Sequence, residues 1–268
     1  MQLVSDALPR SDFAAERGLI EEIERLEAVD PASDIAFLSG SLVEGLGNPW
    51  SDLDVYVITD RPPAGPTVIF DGGCTVSIHY VGELRVDYEY WPMARVRDLA
   101  ERLSSFQPGS GAIVGLFSEA EEQFVHRLVR YPAPIAGDVV PLQAMFSLND
   151  LRAYQIQIGV KHLDSIHEDL CGMMEAGSWG VALFSAREMV AAAMDVYLHI
   201  LGNTNPSRKW RASLIQRYTS LADEFVARFY DLQFPHAQRL LSDAGMLKAY
   251  CCRCIAYHAA VVRMAHRD

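Results

Sequence analysis

Apolar and polar residues follow two different periods along this chain. In the first half, short apolar or alternating runs predict five β-strands, near residues 34–39, 52–59, 66–70, 74–80 and 84–91. Apolar residues at helical spacing predict a helix before these strands and two after them, over residues 12–29, 93–106 and 118–130. Asp71-Gly72-Gly73 predicts a hairpin turn between the third and fourth strands.

The second half shows only the helical period. Helices are predicted near residues 142–176, 179–202, 207–219, 221–232 and 236–266. The proline-rich segment 131–137 predicts a linker. We therefore expect an α/β domain over residues 1–140, followed by an all-α domain, a helical bundle, over residues 141–268.

One segment combines a glycine turn with paired carboxylates. Gly40-Ser41 ends the first predicted strand, and ten residues separate it from Asp52-Leu53-Asp54. Side chains two apart on a strand point the same way, so Asp52 and Asp54 should lie together near that turn. Two carboxylates held this close repel each other unless a cation neutralises them, and hard oxygen ligands favour Mg²⁺. A glycine also lets the backbone approach a phosphate, and Ser41 adds a hydroxyl and an N–H donor.

A further strand supplies another acidic pair. Asp87 and Glu89 share one face of the alternating run 84–91. Two-metal phosphoryl chemistry needs about three converging carboxylates to hold cations about 3.5–4 Å apart. Either residue could be the third carboxylate, and Asp87 is the first choice.

Residues 34–92 resemble the DNA polymerase β-type nucleotidyltransferase superfamily. The matching pattern is an apolar strand, Gly40-Ser41, about ten residues, Asp52-x-Asp54, and then Asp87 on a later strand. The resemblance implies a mixed sheet flanked by helices, two Mg²⁺ ions held by the three aspartates, and a triphosphate contacted by Gly40 and Ser41. We add Ser51, which directly precedes Asp52, to the expected nucleotide-binding residues.

The helical half adds two lysines to the expected nucleotide site. Only three of the 23 basic residues are lysines, and lysine suits a single phosphate oxygen better than arginine's planar fork does. Lys161 lies in the first long predicted helix, where small-molecule members of the family carry a triphosphate-binding lysine. Lys209 lies at a predicted helix start, which favours anions. Lys248 is expected to be structural.

The distribution of charged residues indicates which classes of partner the protein could bind. The chain has a net charge of −12, with 23 acidic and 10 basic residues up to Val140 and 12 and 13 after it. A nucleic-acid polymer is a poor partner for such a surface, whereas a cationic small acceptor suits it. No apolar run is long enough to span a membrane, and the start of the chain has no signal-peptide pattern. A cytoplasmic location is therefore expected.

The five cysteines do not form a recognisable metal or disulfide framework. Cys251, Cys254 and His258 would share a helix face, but no second pair of ligands with zinc spacing accompanies them. Buried helical cysteines are the preferred interpretation.

These patterns together predict a Mg²⁺-dependent nucleotidyltransferase. It would move a nucleoside monophosphate, expected to be adenylyl, from an NTP to a hydroxyl of a small molecule and release pyrophosphate. Aminoglycoside-type antibiotics head the expected acceptors, which implies a role in antibiotic resistance. The alternative is a toxin–antitoxin-type nucleotidyltransferase that modifies a partner protein or RNA.

Overall fold

A computed structural model provides the structure of this chain and describes residues 29–30, 33–48, 50–61, 68–69, 74–109, 115–220 and 222–267. The predicted helix over residues 12–29 falls almost entirely outside these residues, as does the predicted turn at 71–73. Of the described residues, those up to Ser105 and from Leu116 to Leu148 form one compact unit. Residues from Phe106 to Gly115 and from Asn149 onward form the second.

The first unit contains a six-stranded mixed sheet. Its strands are β1 (Ile35–Ser39), β2 (Leu53–Ile58), β3 (Val68–Ile69), β4 (Thr75–Val81), β5 (Leu84–Trp91) and β6 (Ala133–Ala136). They lie in the order β3-β4-β5-β2-β1-β6, with β2 parallel to β5 and the other neighbours antiparallel. This confirms the predicted fold class and all five predicted strands within a few residues.

The two faces of the sheet are covered differently. One face carries an aliphatic and aromatic cluster formed by Ala36, Leu38, Leu53, Val55, Val57, Val86, Tyr88, Tyr90 and Ala136. On the other face, the ring of Phe37 stacks on Tyr56 at 5.1 Å, and Trp91 stacks on Phe124 at 4.2 Å. All six residues of β2 are buried, because strands flank it on both sides and both of its faces are packed.

The segment 131–137 is not only a linker, and that prediction is wrong in part. It contains β6, which pairs with β1 at the edge of the sheet. The prolines obscured this strand, since Pro134 cannot donate a ladder hydrogen bond. An edge strand tolerates proline because one of its sides has no partner strand.

Three helices lie in the described part of the first unit: α1 (Met93–Ser104), α2 (Glu119–Arg130) and the short α3 (Val140–Gln143). The predicted capping box of α2 is confirmed: Ser118 Oγ accepts a hydrogen bond from Glu121 N, and Glu121 accepts one from Ser118 N at 2.8 Å. Arg95 and Arg102 both donate to the Glu121 carboxylate, which ties α1 to the start of α2.

The second unit is helical, as predicted. It contains α4 (Leu148–Glu175), α5 (Trp179–Ile200), a 3₁₀ turn (Arg208–Trp210), α6 (Arg211–Tyr218), α7 (Glu224–Gln233), α8 (Ala237–Leu241) and α9 (Ala244–Ala265). The single helix predicted over 236–266 is in fact two, because Asp243 caps a new helix by accepting from Gly245 N and Met246 N. The helix predicted over 142–176 is likewise divided into α3 and α4.

The long helices α5 and α9 pack against each other in this unit, and α7 packs beside them, with Phe225 stacked on Tyr257 at 4.2 Å. Cys251 and Cys254 are buried in α9, where burial raises the thiol pKa values to about 11 and about 12. None of the described helices is long and apolar enough to span a membrane. The predicted functional division into residues 1–140 and 141–268 stays a prediction.

Candidate active site

The predicted carboxylates meet on two neighbouring strands. Asp54 of β2 is the register partner of Asp87 on the parallel strand β5, and both lie on the face that α2 covers. Asp52 directly precedes β2, and its charge raises the pKa of Asp54 together with the larger effect of burial. The parallel pairing therefore places two of the three predicted acidic residues side by side, with the third two residues upstream.

Gly40 lies against the carboxylate of Asp54. Ser39, the last residue of β1, pairs with Asp54, and Gly40 follows it with φ +87°. A β-carbon on residue 40 would lie 1.8 Å from Asp54 Oδ2, far inside contact distance. Position 40 therefore requires glycine for two reasons: its backbone conformation and the lack of space for a side chain.

Ser41 begins a compact loop that returns the chain to Asp52. Its carbonyl accepts hydrogen bonds from Leu46 N and Gly47 N, both at 2.8 Å. Glu44, in the same loop, is buried and pairs with the buried His126 of α2. Burial lowers the pKa of His126, although Glu44 opposes this effect. The loop is thus closed on itself and held to α2.

The last turn of this loop contains Ser51. Asn48 N donates to Ser51 Oγ at 2.9 Å, and Ser51 N donates to the carbonyl of Asn48 at 2.9 Å. The Ser51 hydroxyl accordingly shapes the turn before Asp52. Its predicted contact with a nucleotide stays a prediction.

A buried arginine that the sequence analysis did not single out joins the site. Arg127 Nη1 lies 3.1 Å from Asp54 Oδ1 and 3.8 Å from Glu89 Oε1, and it donates a hydrogen bond to the Tyr56 hydroxyl. The sequence pattern contains a sign of this residue's importance. Arg127 is three residues after Phe124 and next to Leu128, so a charge interrupts the apolar face of α2. A buried charge of this kind needs charged partners, which the strands supply.

Glu89 is fully engaged inside this network. Tyr56 donates its hydroxyl proton to Glu89 Oε1 at 3.1 Å, and Trp91 Nε1 donates to Oε2 at 3.3 Å. Burial raises the pKa of Glu89, and Arg127 opposes that shift. In register Glu89 lies beside Tyr56, two residues further along β5 than the Asp54–Asp87 pair. Asp87, the direct register partner of Asp54, remains the first choice for the third carboxylate.

Asp87 holds a second, more exposed arginine. Arg85 Nε and Nη2 donate to the two oxygens of Asp87 at 2.7 and 2.6 Å, a bidentate pair. This hydrogen bonding raises the pKa of Arg85. As they stand, no three acidic, histidine or cysteine side chains in the described part of the chain converge as a metal site. Two guanidinium groups provide positive charge at the carboxylates instead.

A cleft of about 250 Å³ lies next to Asp87. Sheet and α2 residues line it: Tyr56, Cys74, Val76, Arg85, Asp87, Glu89, Ala120 and Gln123. Burial raises the pKa of the Cys74 thiol to about 12, so this cysteine is protonated at neutral pH and is a poor nucleophile.

The two predicted lysines belong to the second unit. Lys161 is exposed on α4, and Lys209 is exposed in the 3₁₀ turn, with its ammonium 5.1 Å from the centre of the Trp210 ring. The 3₁₀ turn Arg208–Trp210 runs directly into α6, which begins at Arg211, so Lys209 lies just before this α-helix, at the helical start predicted near residue 207. The nucleotide-binding roles of both lysines stay predictions.

No protein-family model and no curated protein matches this sequence. Among solved structures, the chain is similar to a nucleotidyltransferase-like protein from Exiguobacterium sibiricum 255-15. The identity is 13% and the TM-score 0.43, over 93% of this chain and 77% of that chain. The residues of the site themselves therefore carry the functional proposal.

Proposed function

We propose that this chain is a Mg²⁺-dependent nucleotidyltransferase that transfers a nucleoside monophosphate from an NTP to a hydroxyl of a small molecule. The observation that carries the proposal is the pairing of Asp54 with Asp87 across parallel strands, with Asp52 just upstream and Gly40 against the Asp54 carboxylate. A glycine turn next to three carboxylates suits a phosphate chain and the cations that accompany it.

The donor set fits magnesium in kind, since all three side chains are hard oxygen ligands. Asp52 and Asp54 would hold both ions, and Asp87 the ion nearer the acceptor. When bound, the ions would offset the negative charge that develops on the phosphates. Asp87 would first have to release Arg85, which now occupies both of its oxygens.

The chain's own residues account for the remaining roles. The acceptor oxygen would attack the α-phosphorus, the bond from that phosphorus to the bridging oxygen would break, and pyrophosphate would leave. Asp87 would take the hydroxyl proton as general base. Glu89 is the second candidate for this role, and it lies two register positions further from the Asp54–Asp87 pair along β5.

Binding roles follow from charge and position. Gly40, Ser41 and Ser51 would line the phosphates, and Lys161 and Lys209 would add positive charge to them. Adenylyl is the proposed transferred group. The excess of acidic residues before Val140 favours a cationic acceptor, and aminoglycoside-type antibiotics are the first candidates.

The proposal is tested with purified protein, each of the four NTPs, Mg²⁺ and a panel of hydroxylated small molecules that includes aminoglycosides. Mass spectrometry should detect an acceptor with an added nucleoside monophosphate, together with released pyrophosphate. Asp54→Asn should give neither, although its thermal unfolding should show that it is folded. Equal product from Asp54→Asn and wild type would contradict the assignment, and labelling of a protein or RNA instead would favour the toxin–antitoxin alternative.

A further inference from the structure

Trp50 is almost entirely exposed, two residues before Asp52. Its exposed fraction is 94%, the highest among the exposed large hydrophobic residues in the described part of the chain. Tryptophan is highly buried on average, because its large apolar surface is costly to leave in water. Because this indole lies two residues from a proposed metal ligand, it is a candidate ligand contact.

The backbone that carries Trp50 is held by hydrogen bonds. Trp50 N donates to Asn48 Oδ1 at 2.9 Å, and the two bonds between Asn48 and Ser51 close the same turn. These bonds fix the main chain at Trp50, which leaves only the side-chain rotamer to be ordered when a ligand stacks on the indole.

Both ends of the loop that carries Trp50 lie at the proposed site. The loop begins at Gly40 and Ser41 and ends at Asp52, and its middle is held to α2 by the Glu44–His126 pair. A nucleotide with its phosphates at Gly40–Ser41 and its cations at Asp52 would lie beside this loop, and Trp50 is only two residues from Asp52. Trp50 is the large aromatic residue that this loop exposes.

We infer that Trp50 is a stacking platform for the nucleobase of the donor NTP and that it favours purines. The inference rests on the proposed function, because it places the triphosphate at Gly40–Ser41. An indole stacks on any base without reading hydrogen bonds, and a purine offers a larger ring face than a pyrimidine does. Selection by Trp50 would therefore distinguish base size rather than base identity.

Tyr80 provides a matched control in the same unit. It is also exposed, at 66%, but it lies on β4 opposite Arg85, two register positions from the Ile78–Asp87 pair. Tyr80 thus belongs to a strand of the sheet and not to the loop between Gly40 and Asp52 that carries Trp50. Removal of the Tyr80 ring should leave binding of the donor nucleotide unchanged.

The test compares equilibrium binding of ATP, CTP and inorganic tripolyphosphate, each with Mg²⁺, to wild type, Trp50→Ala, Trp50→Phe and Tyr80→Ala. Tripolyphosphate has the phosphates without the base. Trp50→Ala should bind ATP about tenfold to a hundredfold more weakly, and the preference of wild type for ATP over CTP should shrink. Its affinity for tripolyphosphate should be unchanged. Trp50→Phe should fall between wild type and Trp50→Ala, and Tyr80→Ala should match wild type for all three ligands.

Two results would overturn the inference while leaving the proposed function intact. One is equal ATP affinity in wild type and Trp50→Ala. The other is an equal loss of affinity for ATP and tripolyphosphate, which would give Trp50 a purely structural role in the turn. Failure of wild type to bind either ATP or tripolyphosphate would overturn the proposed function and this inference together. Tryptophan fluorescence gives an independent readout, since ATP should quench wild type more than Trp50→Phe.

Discussion

The α-carbon of Gly40 faces the carboxylate of Asp54 so closely that a β-carbon there would lie 1.8 Å from Oδ2. The turn after β1 therefore packs closely against the acidic end of β2. Because no side chain separates them, a ligand that the Asp54 carboxylate holds would also lie near the Gly40 main chain. Gly40 and Asp54 therefore form one structural feature, and a change at either position should affect the other.

Gly40→Ala should disturb the site far more than a simple backbone strain would. Gly82 is the control, because its φ is also positive, at +61°, but a β-carbon there meets nothing within 4 Å. Gly82→Ala should lower the free energy of unfolding by about 1–2 kcal/mol from strain alone. Gly40→Ala should lower it further and also abolish nucleotidyl transfer. Urea unfolding and activity of both variants check this, and equal effects in the two would contradict the close approach.

Arg127→Met should be strongly destabilising, because it leaves the buried Asp54 and Glu89 without their cation. Removal of one partner of a buried ion pair costs about 3–5 kcal/mol. Arg85→Met breaks an ion pair whose arginine side chain is 44% exposed and should cost about 0–1 kcal/mol. Chemical denaturation of the two variants measures the difference. A cost below 1 kcal/mol for Arg127→Met would show that Arg127 is not the counter-ion of the site.

The Glu121 carboxylate should stabilise the protein in a pH-dependent way. Burial raises its pKa, but hydrogen bonds from Arg102 and Ser118 N outweigh burial and hold that pKa below the usual value of 4.5. Because the folded pKa is the lower one, the stabilisation is fully present above about pH 4.5 and is lost as the pH falls through the folded pKa. Glu121→Gln should cost about 1.5–3 kcal/mol at pH 7, and this cost should shrink toward pH 3.

Denaturation of Glu121→Gln and wild type at several pH values between 7 and 3 measures this dependence. Glu119→Gln is the control, because Glu119 is an exposed residue of the same first helical turn. It should change the free energy of unfolding little at any pH. A cost for Glu121→Gln that stays constant down to pH 3 would rule out an ionised carboxylate as its source.

Lys161 should contribute to catalysis if it meets the triphosphate as a point charge. Lys161→Ala should lower kcat/KM for NTP about ten- to over a hundredfold, which corresponds to a lost contact of about 1.5–3 kcal/mol. Lys161→Arg should also be impaired, because the planar fork places its donors differently. Lys248→Ala, a change at another exposed lysine of the helical unit, is the control. Equal values for the two alanine variants would make Lys161 an ordinary surface residue.

The strands and the shared face of the acidic residues could be predicted because alternation is a local property of the sequence. The pairing of Asp54 with Asp87 could not be derived in this way, since it depends on β2 lying parallel to β5 across a long separation in sequence. Resemblance to a family supplied that expectation instead. Local patterns also failed at β6, where Pro134 conceals an edge strand.

Arg127 shows a different limit of prediction from the sequence alone. A charge on the apolar face of α2 was visible in the helical pattern, but its partners Asp54, Glu89 and Tyr56 lie on distant strands. The pattern shows that such a residue needs compensation, and only the packed structure shows which groups provide it. The strand register likewise sets Asp87, and not Glu89, beside Asp54, which the alternating strand 84–91 alone could not show.

The most direct test of the carboxylate site is binding of Mn²⁺, as a spectroscopic substitute for Mg²⁺, measured by electron paramagnetic resonance with and without ATP. Wild type, Asp54→Asn, Asp87→Asn and Glu89→Gln are compared. We predict that Asp54→Asn and Asp87→Asn each bind Mn²⁺ at least about tenfold more weakly than wild type, a loss of about 1.4 kcal/mol or more, and that Glu89→Gln binds it about as well as wild type. Wild-type affinity in Asp54→Asn, or a loss in Glu89→Gln without one in Asp87→Asn, would contradict a metal site built on Asp54 and Asp87.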